Sequence, residues 1–356
     1  MNVAGKPRGR VVPLSVMGSL QRARDRRRTR FGAALAFGVL ALATEACGTP
    51  SAAGVPPSSG IDAGTSTPSG ASDASFAAPD DAVLEADERA ARDASLPGDA
   101  GSRPGWVLVW ADEFDEPDGS AVDPSKWAHD VGGSGGGNRE RQYYTDGTAN
   151  AVVQGGQLVI TADVAGAMPP PCWYGPCQYT SARLKTQGKF AQAYGRFEAR
   201  IRMPFGQGMW PAFWMLGNDI AQVQWPACGE IDVMENIGRE PAMVHGSLHA
   251  PGYPGAGLTG GYALDAGNLA ESFHTFAAEW EPTTVRFYVD DALYETQTVA
   301  SAPKGSPWPF DHPFFLVLDL AVGGTWPGDP DPSTTFPQTM KVDWVRVFQK
   351  TGGEGP

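Results

Sequence analysis

Residues 194–203 read YGRFEARIRM: Phe197, Ala199, Ile201 and Met203 are apolar at every second position, and Arg196, Glu198, Arg200 and Arg202 fill the positions between. Successive side chains of a strand point to opposite faces, so the pattern predicts a β-strand with one face in a core and the other in solvent. The period recurs on both sides of this stretch. Leu158, Ile160 and Ala162 alternate with Val159 and Thr161, and Val285, Phe287 and Val289 alternate with Arg286, Tyr288 and Asp290. Residues 314–322 (FFLVLDLAV) are almost continuously apolar, as expected of a central strand, and VDWVRVF (342–348) adds a closing one. No stretch of similar length holds a 3.6-residue period, 45 Gly and 31 Pro suppress helices, and no internal repeat is present. The expected fold is all-β, a jelly-roll sandwich of two antiparallel sheets.

The 356 residues are used unevenly. All 11 Trp and 9 Tyr lie at or beyond Trp106, so the candidate domain is 106–350, long enough to bury one substantial core. Nine of the 27 Lys and Arg fall in the first 30 residues beside one acid, Asp25, leaving 18 basic against 39 acidic residues in the rest. That acidity argues against a nucleic-acid partner, which needs a basic footprint, and suits a neutral or weakly charged ligand. No apolar run reaches the roughly 18 residues that span a bilayer. RARDRRRTR (22–30), the 13-residue apolar run FGAALAFGVLALA (31–43) and the small-residue exit around Cys47 predict an export signal over residues 1–47. Cys47 resembles a bacterial lipoprotein cleavage site, although Thr44 and Glu45 depart from it, and this makes it the candidate for lipidation and membrane attachment. Residues 48–105, rich in Ala, Ser, Pro and Gly, bury too little apolar surface to offset their ordering entropy and read as a disordered linker; 351–356 form a short tail. The expected product is an exported, extracellular or cell-surface monomer. Cys172 and Cys177 bracket a Gly-Pro turn at a spacing compatible with a local disulfide, and Cys228 reads as a buried small apolar residue.

The chemistry concentrates in GEIDVMENIG (229–238). Glu230 and Asp232 share a strand face by period two, whereas Glu235 falls out of phase by one residue. A β-bulge at Val233-Met234 would return Glu235 to the same face, and bulges concentrate beside active sites. Two glutamates so placed can approach the roughly 5–5.5 Å carboxyl separation of a retaining glycosidase. Three crowded carboxylates cannot all ionise cheaply, so at least one pKa should rise. Spacing alone fits a solvated acidic edge strand equally well. Trp210 and Trp214 share a face of the preceding strand, where indoles would stack on sugar C–H faces, and Trp326 sits in a Gly- and Pro-crowded loop suited to overhanging a cleft.

GEIDVMENIG resembles the signature of family-sixteen glycoside hydrolases, in the bulged Glu-x-Asp-x-x-Glu form of laminarinase-like endo-β-1,3-glucanases. LVWADEFD, GGGNRERQYYTDG, YTSARLKTQGKF, HGSLHAPGY, LAVGGTWPGDPD and FPQTMKVDWVRVFQ are similar to that family in its order, over essentially Trp106–Lys350. The resemblance implies a jelly roll with a concave substrate cleft, hydrolysis of β-1,3-glucan or mixed β-1,3/1,4-glucan by double displacement, and no cofactor for catalysis. It casts Glu230 as nucleophile, Glu235 as acid/base and Asp232 as the hydrogen-bonding partner of the nucleophile. It further implies glucan contacts from Asn138, Arg183, Trp210, Trp214 and Trp326, and from His249 near the acid/base. A structural calcium away from the cleft would take Glu113, a carbonyl near Gly156, and Asp343. Asp319 departs from the Asn usual in the family, and the insert carrying Cys172 and Cys177 is unusual. The other readings are a non-catalytic β-glucan-binding module, the same mechanism on another polysaccharide, and a transglycosylase.

Overall fold

The computed structural model describes residues 9–12 and 103–352. The expected apolar signal segment, Cys47, nearly all of the expected linker and most of the tail lie outside those residues. One sheet has eight strands in the order β1 (Gly9–Val12), β15 (Tyr253–Leu264), β14 (Met243–Ala250), β13 (Glu230–Glu235), β12 (Met209–Gly217), β19 (Phe314–Val322), β10 (Arg183–Lys185) and β3 (Ala128–His129). The other runs β18 (Ala292–Thr298), β17 (Thr284–Val289), β16 (His274–Glu281), β11 (Gly195–Arg202), β20 (Gln338–Lys350), β6 (Leu158–Val164), β9 (Tyr179–Ser181) and β4 (Gln142–Tyr144). In this second sheet β2 (Trp106–Asp112) also pairs with β20, and β5 (Ala151–Val153) with β6. A small hairpin joins β7 (Pro171–Cys172) to β8 (Gly175–Pro176). Among the described residues the α-helix α1 spans only Ile220–Val223. This is the expected jelly-roll sandwich, with one ladder that departs from antiparallel pairing: β4 and β9 run parallel.

Side-chain alternation builds the main core between the sheets, beside a smaller apolar cluster of Leu216, Cys228, Phe315 and Val317. Phe197, Ile201, Phe276 and Phe287 from one sheet and Phe213, Met215, Ile231, Leu316 and Leu318 from the other are fully buried members of one apolar cluster. Removing such side chains from water is the main favourable term of the fold, at about 1.5–3 kcal/mol each. β19 lies between β12 and β10 and every one of its residues is buried, as a central strand requires.

Two expectations need correction. The second face of β11 is not in solvent at its start, because Arg196 and Glu198 are buried and Arg196 Nε donates to Glu198 at 2.7 Å. Alternation also breaks in β20, where Val342 and Val345 are both buried. The pairing with β11 slips between Arg200 and Ile201, so Asp343 is the surplus residue and the apolar phase moves by one.

Candidate active site

Gly229 has φ +73°, and a Cβ there would lie 2.8 Å from the Phe314 ring. Glycine is therefore required where the chain turns into β13. From that point Leu216 pairs with Glu230 and Trp214 with Asp232, but Ala212 pairs with Glu235 and Phe213 with Met234. Val233 has no partner, which is the one-residue slip needed to bring Glu235 round. Val233 and Met234 are both fully buried in the core, so the bulge is held by apolar burial on the face opposite the acids. Across the other edge Glu230 pairs with His249, Asp232 with Ser247 and Glu235 with His245. His249 thus stands directly opposite Glu230 and His245 opposite Glu235, and the charge of His249 acts on both glutamates.

The three acids are poorly neutralised. Burial first, then the Asp232 carboxylate, push Glu230 up to about 8, against the opposing pull of His249 and a hydrogen bond from Trp225. The same two causes hold Glu235 well above the usual carboxylate range. Burial disfavours the His249 cation, yet Asp232, Glu230 and Glu235 outweigh it and raise His249 to about 10. His249 Nε2 lies 2.8 Å from Asp232 Oδ2 and 3.9 Å from Glu230 Oε1. Near neutral pH this cluster therefore retains protons on carboxyl groups, which is the condition for a general acid.

Indoles hold the acids from the neighbouring strand. Trp210 Nε1 donates to Glu235 Oε1 at 2.9 Å, and the Trp326 ring packs edge-on against Trp210 at 5.5 Å and His245 at 5.1 Å. Trp214 Nε1 donates to Asp319 Oδ1 at 2.7 Å. Asp319 lies on the sheet face that carries Glu235, since it pairs with Ala212, which pairs with Glu235. It is compensated there: Tyr144 Oη and Arg183 Nη2 donate to its other oxygen at 2.6 and 3.0 Å. Arg183, expected to reach glucan, spends its guanidinium on this buried carboxylate, with the Tyr144 ring 4.5 Å and the Trp214 ring 5.4 Å away. Asn138 is exposed at the rim, and its carbonyl accepts the Thr325 N–H at 2.8 Å, joining its loop to the one that carries Trp326. The Cys172–Cys177 disulfide is formed, and Cys228 is free and buried. Trp173 of the same insert donates to the Glu140 carbonyl at 2.8 Å, so the insert braces the Asn138 loop.

Several participants were not foreseen. Glu140 accepts from Gln142 at 2.6 Å and from Tyr144 at 3.1 Å, and all three are buried. Asn138, Glu140, Gln142 and Tyr144 are spaced by two in sequence, a period that would have grouped them. Trp225 and His245 have no such signal, because strand pairing and a loop bring them in. For the expected calcium set, Arg346 donates to both oxygens of Glu113 at 2.8 Å, and Arg200 donates to Asp343 at 2.6 Å. Oxygen donors of this kind fit calcium, but both carboxylates are already engaged by guanidinium groups.

A model of glycosyl hydrolases family 16 matches residues 138–346. A beta-glucanase of Rhodothermus marinus is 44% identical over 257 residues, covering 69% of this chain and 86% of that protein. A glucan endo-1,3-beta-glucosidase A1 of Niallia circulans is 38% identical over 265 residues, 69% of this chain but 38% of that longer protein. Among solved structures, the laminarinase catalytic domain of Thermotoga maritima superposes with a TM-score of 0.63 at 44% identity, covering 69% of this chain and 99% of that one. With the family model spanning more than half of the sequence and close relatives agreeing in fold, this chain belongs to glycosyl hydrolases family 16 and is a glycoside hydrolase.

Proposed function

We propose that the chain is an exported endo-glycosidase that cleaves β-1,3-glucan with retention, and mixed β-1,3/1,4-glucan as a second substrate. The observation that carries this reading is the bulge that puts Glu230 and Glu235 on one cleft face, with Trp210 bonded to Glu235. The names of the relatives, a beta-glucanase and an endo-1,3-beta-glucosidase, support the substrate class. Export rests on the predicted signal segment, and a cell-surface anchor on Cys47.

Glu230 takes the nucleophile's role that the motif gives it and attacks as the carboxylate, the form that the His249 cation 3.9 Å away favours against burial and Asp232. Glu235, whose protonated form is favoured by burial and by Asp232, gives its proton to the glycosidic oxygen as the bond to the anomeric carbon breaks. The Glu230 oxygen bonds that carbon from the opposite face, forming a glycosyl ester. Glu235, now a carboxylate, takes a proton from water, the hydroxyl oxygen attacks the anomeric carbon, and the ester bond to Glu230 breaks. Two inversions give net retention. Asp232, between the acids and against His249, disfavours the Glu230 charge and so favours the ester over the free carboxylate. A calcium held by Glu113, the Gly156 carbonyl and Asp343 remains part of the proposal as a stability element only; it would displace Arg346 and Arg200.

The test is hydrolysis of laminarin by wild type and Glu230→Ala, followed by reducing ends and by proton NMR of the first anomer released. Release of internal oligosaccharides in the β-anomer is expected from wild type, and none from the variant. Binding to laminarin without new reducing ends would instead establish a non-catalytic binding module. An α-anomer as first product would overturn double displacement, and products longer than the substrate would make the protein a transglycosylase.

A further inference from the structure

We propose that Glu230, Asp232 and His249 form a binding site for one zinc ion, and that zinc held there competes with substrate. Among the described residues these three make the one group of His, Cys, Asp or Glu side chains whose ligand atoms all lie within 4.8 Å of one another. His249 Nε2 is 2.8 Å from Asp232 Oδ2 and 3.9 Å from Glu230 Oε1. Zinc bonds of about 2.0–2.2 Å to nitrogen and oxygen put tetrahedral ligand atoms roughly 3.3 Å apart, so the two measured separations bracket the requirement.

Two independent features aim this cluster at a cation. Asp232 is 3% exposed, and its buried Oδ2 has no hydrogen bond of normal geometry, with His249 Nε2 at 2.8 Å as its positive neighbour. A buried carboxylate oxygen without a proper donor is costly unless something positive completes it. His249 is also oriented as metal-binding histidines are. Its Nδ1 lies 3.0 Å from the Pro254 carbonyl, which accepts the Nδ1 proton, so a zinc ion that displaces the Nε2 proton meets a lone pair directed at the two acids. Three protein ligands with Glu230 reaching the open cleft leave a fourth position for water, as in an open zinc site. One imidazole and two carboxylates suit zinc, whereas calcium and magnesium prefer six or more oxygens. The binding site stands on this geometry alone; the inhibition rests on Glu230 being the nucleophile, since zinc would occupy the oxygen that must attack.

Calorimetric titration of the full chain with zinc chloride in a non-coordinating buffer tests the site. One equivalent should bind, with a rise in Tm, and Glu230→Gln and His249→Gln should each weaken binding at least tenfold. His312→Gln is the control, because His312 lies 3.0 Å from Asp219 and 3.2 Å from Asp311 in the competing histidine–acid cluster. It should bind zinc as wild type does. Cobalt(II) provides a second readout: intense visible absorption of a four-coordinate site in wild type, lost in Glu230→Gln. Each variant is first matched to wild type by circular dichroism. Absence of binding to wild type, or binding abolished by His312→Gln and retained by Glu230→Gln, overturns the proposal. In laminarin hydrolysis, zinc should raise KM at least tenfold with kcat unchanged. A wild type that binds zinc yet leaves laminarin intact would sink the proposed function and not the zinc site.

Discussion

Two buried clusters of charge lie on opposite sheets of this sandwich and are built by opposite rules. On β11 Arg196 is 1% exposed, and each of its nitrogens has an acceptor: Glu198 at 2.7 Å, Glu279 at 3.1 Å and Asp291 at 2.9 Å. The Tyr288 ring lies 5.0 Å from the guanidinium carbon, and Arg103 supplies a second cation to Glu198 at 3.1 Å. On β13 three acids share a single imidazole, and burial first, then the Asp232 charge that the imidazole does not cancel, push Glu230 and Glu235 upward. A buried fork of hydrogen-bonded ion pairs costs little once formed and does nothing but hold strands together. An under-neutralised group of acids raises the energy of the folded state and keeps protons available for transfer. Buried charge by itself does not mark a catalytic centre; the missing counter-charge does.

The largest effect that would break this contrast is on activity. Glu230→Ala should lower kcat on laminarin by about 10⁴-fold or more, as expected when the attacking group is lost, with Tm at or above wild type. A residual rate within a hundredfold of wild type would end the assignment. Next, Arg196→Met should cost about 3 kcal/mol by removing the buried cation that Glu198 and Glu279 share, leaving Glu198 only Arg103 and Glu279 only the Tyr288 hydroxyl, and should lower Tm by roughly 10 °C. Activity of the folded variant at 25 °C should stay within about twofold, because no Arg196 contact reaches the cleft acids. A large loss of kcat without a change in Tm would invert the two clusters.

A pH comparison sharpens the point at a smaller scale. Glu230 has a folded-state pKa near 8 against an ordinary 4.5, so between those values the folded chain keeps a proton that the unfolded chain has released. Its contribution to stability is complete below about 4.5 and is lost as pH rises through 8. Glu230→Gln should therefore raise Tm more at pH 8 than at pH 5, by on the order of 1–2 kcal/mol or about 2–6 °C. An equal shift at both values would mean that Glu230 is not destabilised by its charge. The smallest effect concerns Asp319, whose compensation resembles that of Arg196 although it lies on the sheet face that carries Glu235. Asp319→Asn should keep the Trp214 contact but weaken the hold on Arg183, raising KM about two- to fivefold with little change in kcat, for a cost of about 1 kcal/mol. A loss confined to kcat would make Asp319 part of the proton machinery instead.

The linear order of residues was enough to determine a great deal. Period-two alternation in 194–203 and 285–290 and the apolar run at 314–322 specified strands and their core faces, because pleating turns sequence parity directly into orientation. The parity break in 230–235 likewise called for a bulge, since only a surplus residue lets three acids share a face. Tertiary structure alone decided which charges cancel. Arg196 looks like a solvent-facing residue in sequence, and two of its three carboxylate partners, Glu279 and Asp291, come from other regions of the chain. Asp319 looks like an added cleft charge, and Arg183, Trp214 and Tyr144 converge to neutralise it from three other strands. His245 and His249 are four residues apart, and only the register against β13 sets one opposite Glu235 and the other opposite Glu230. The physical reason is range: parity is a local property of the backbone, whereas desolvation and Coulomb terms depend on what packs within a few ångströms, and sequence separation carries no measure of that distance.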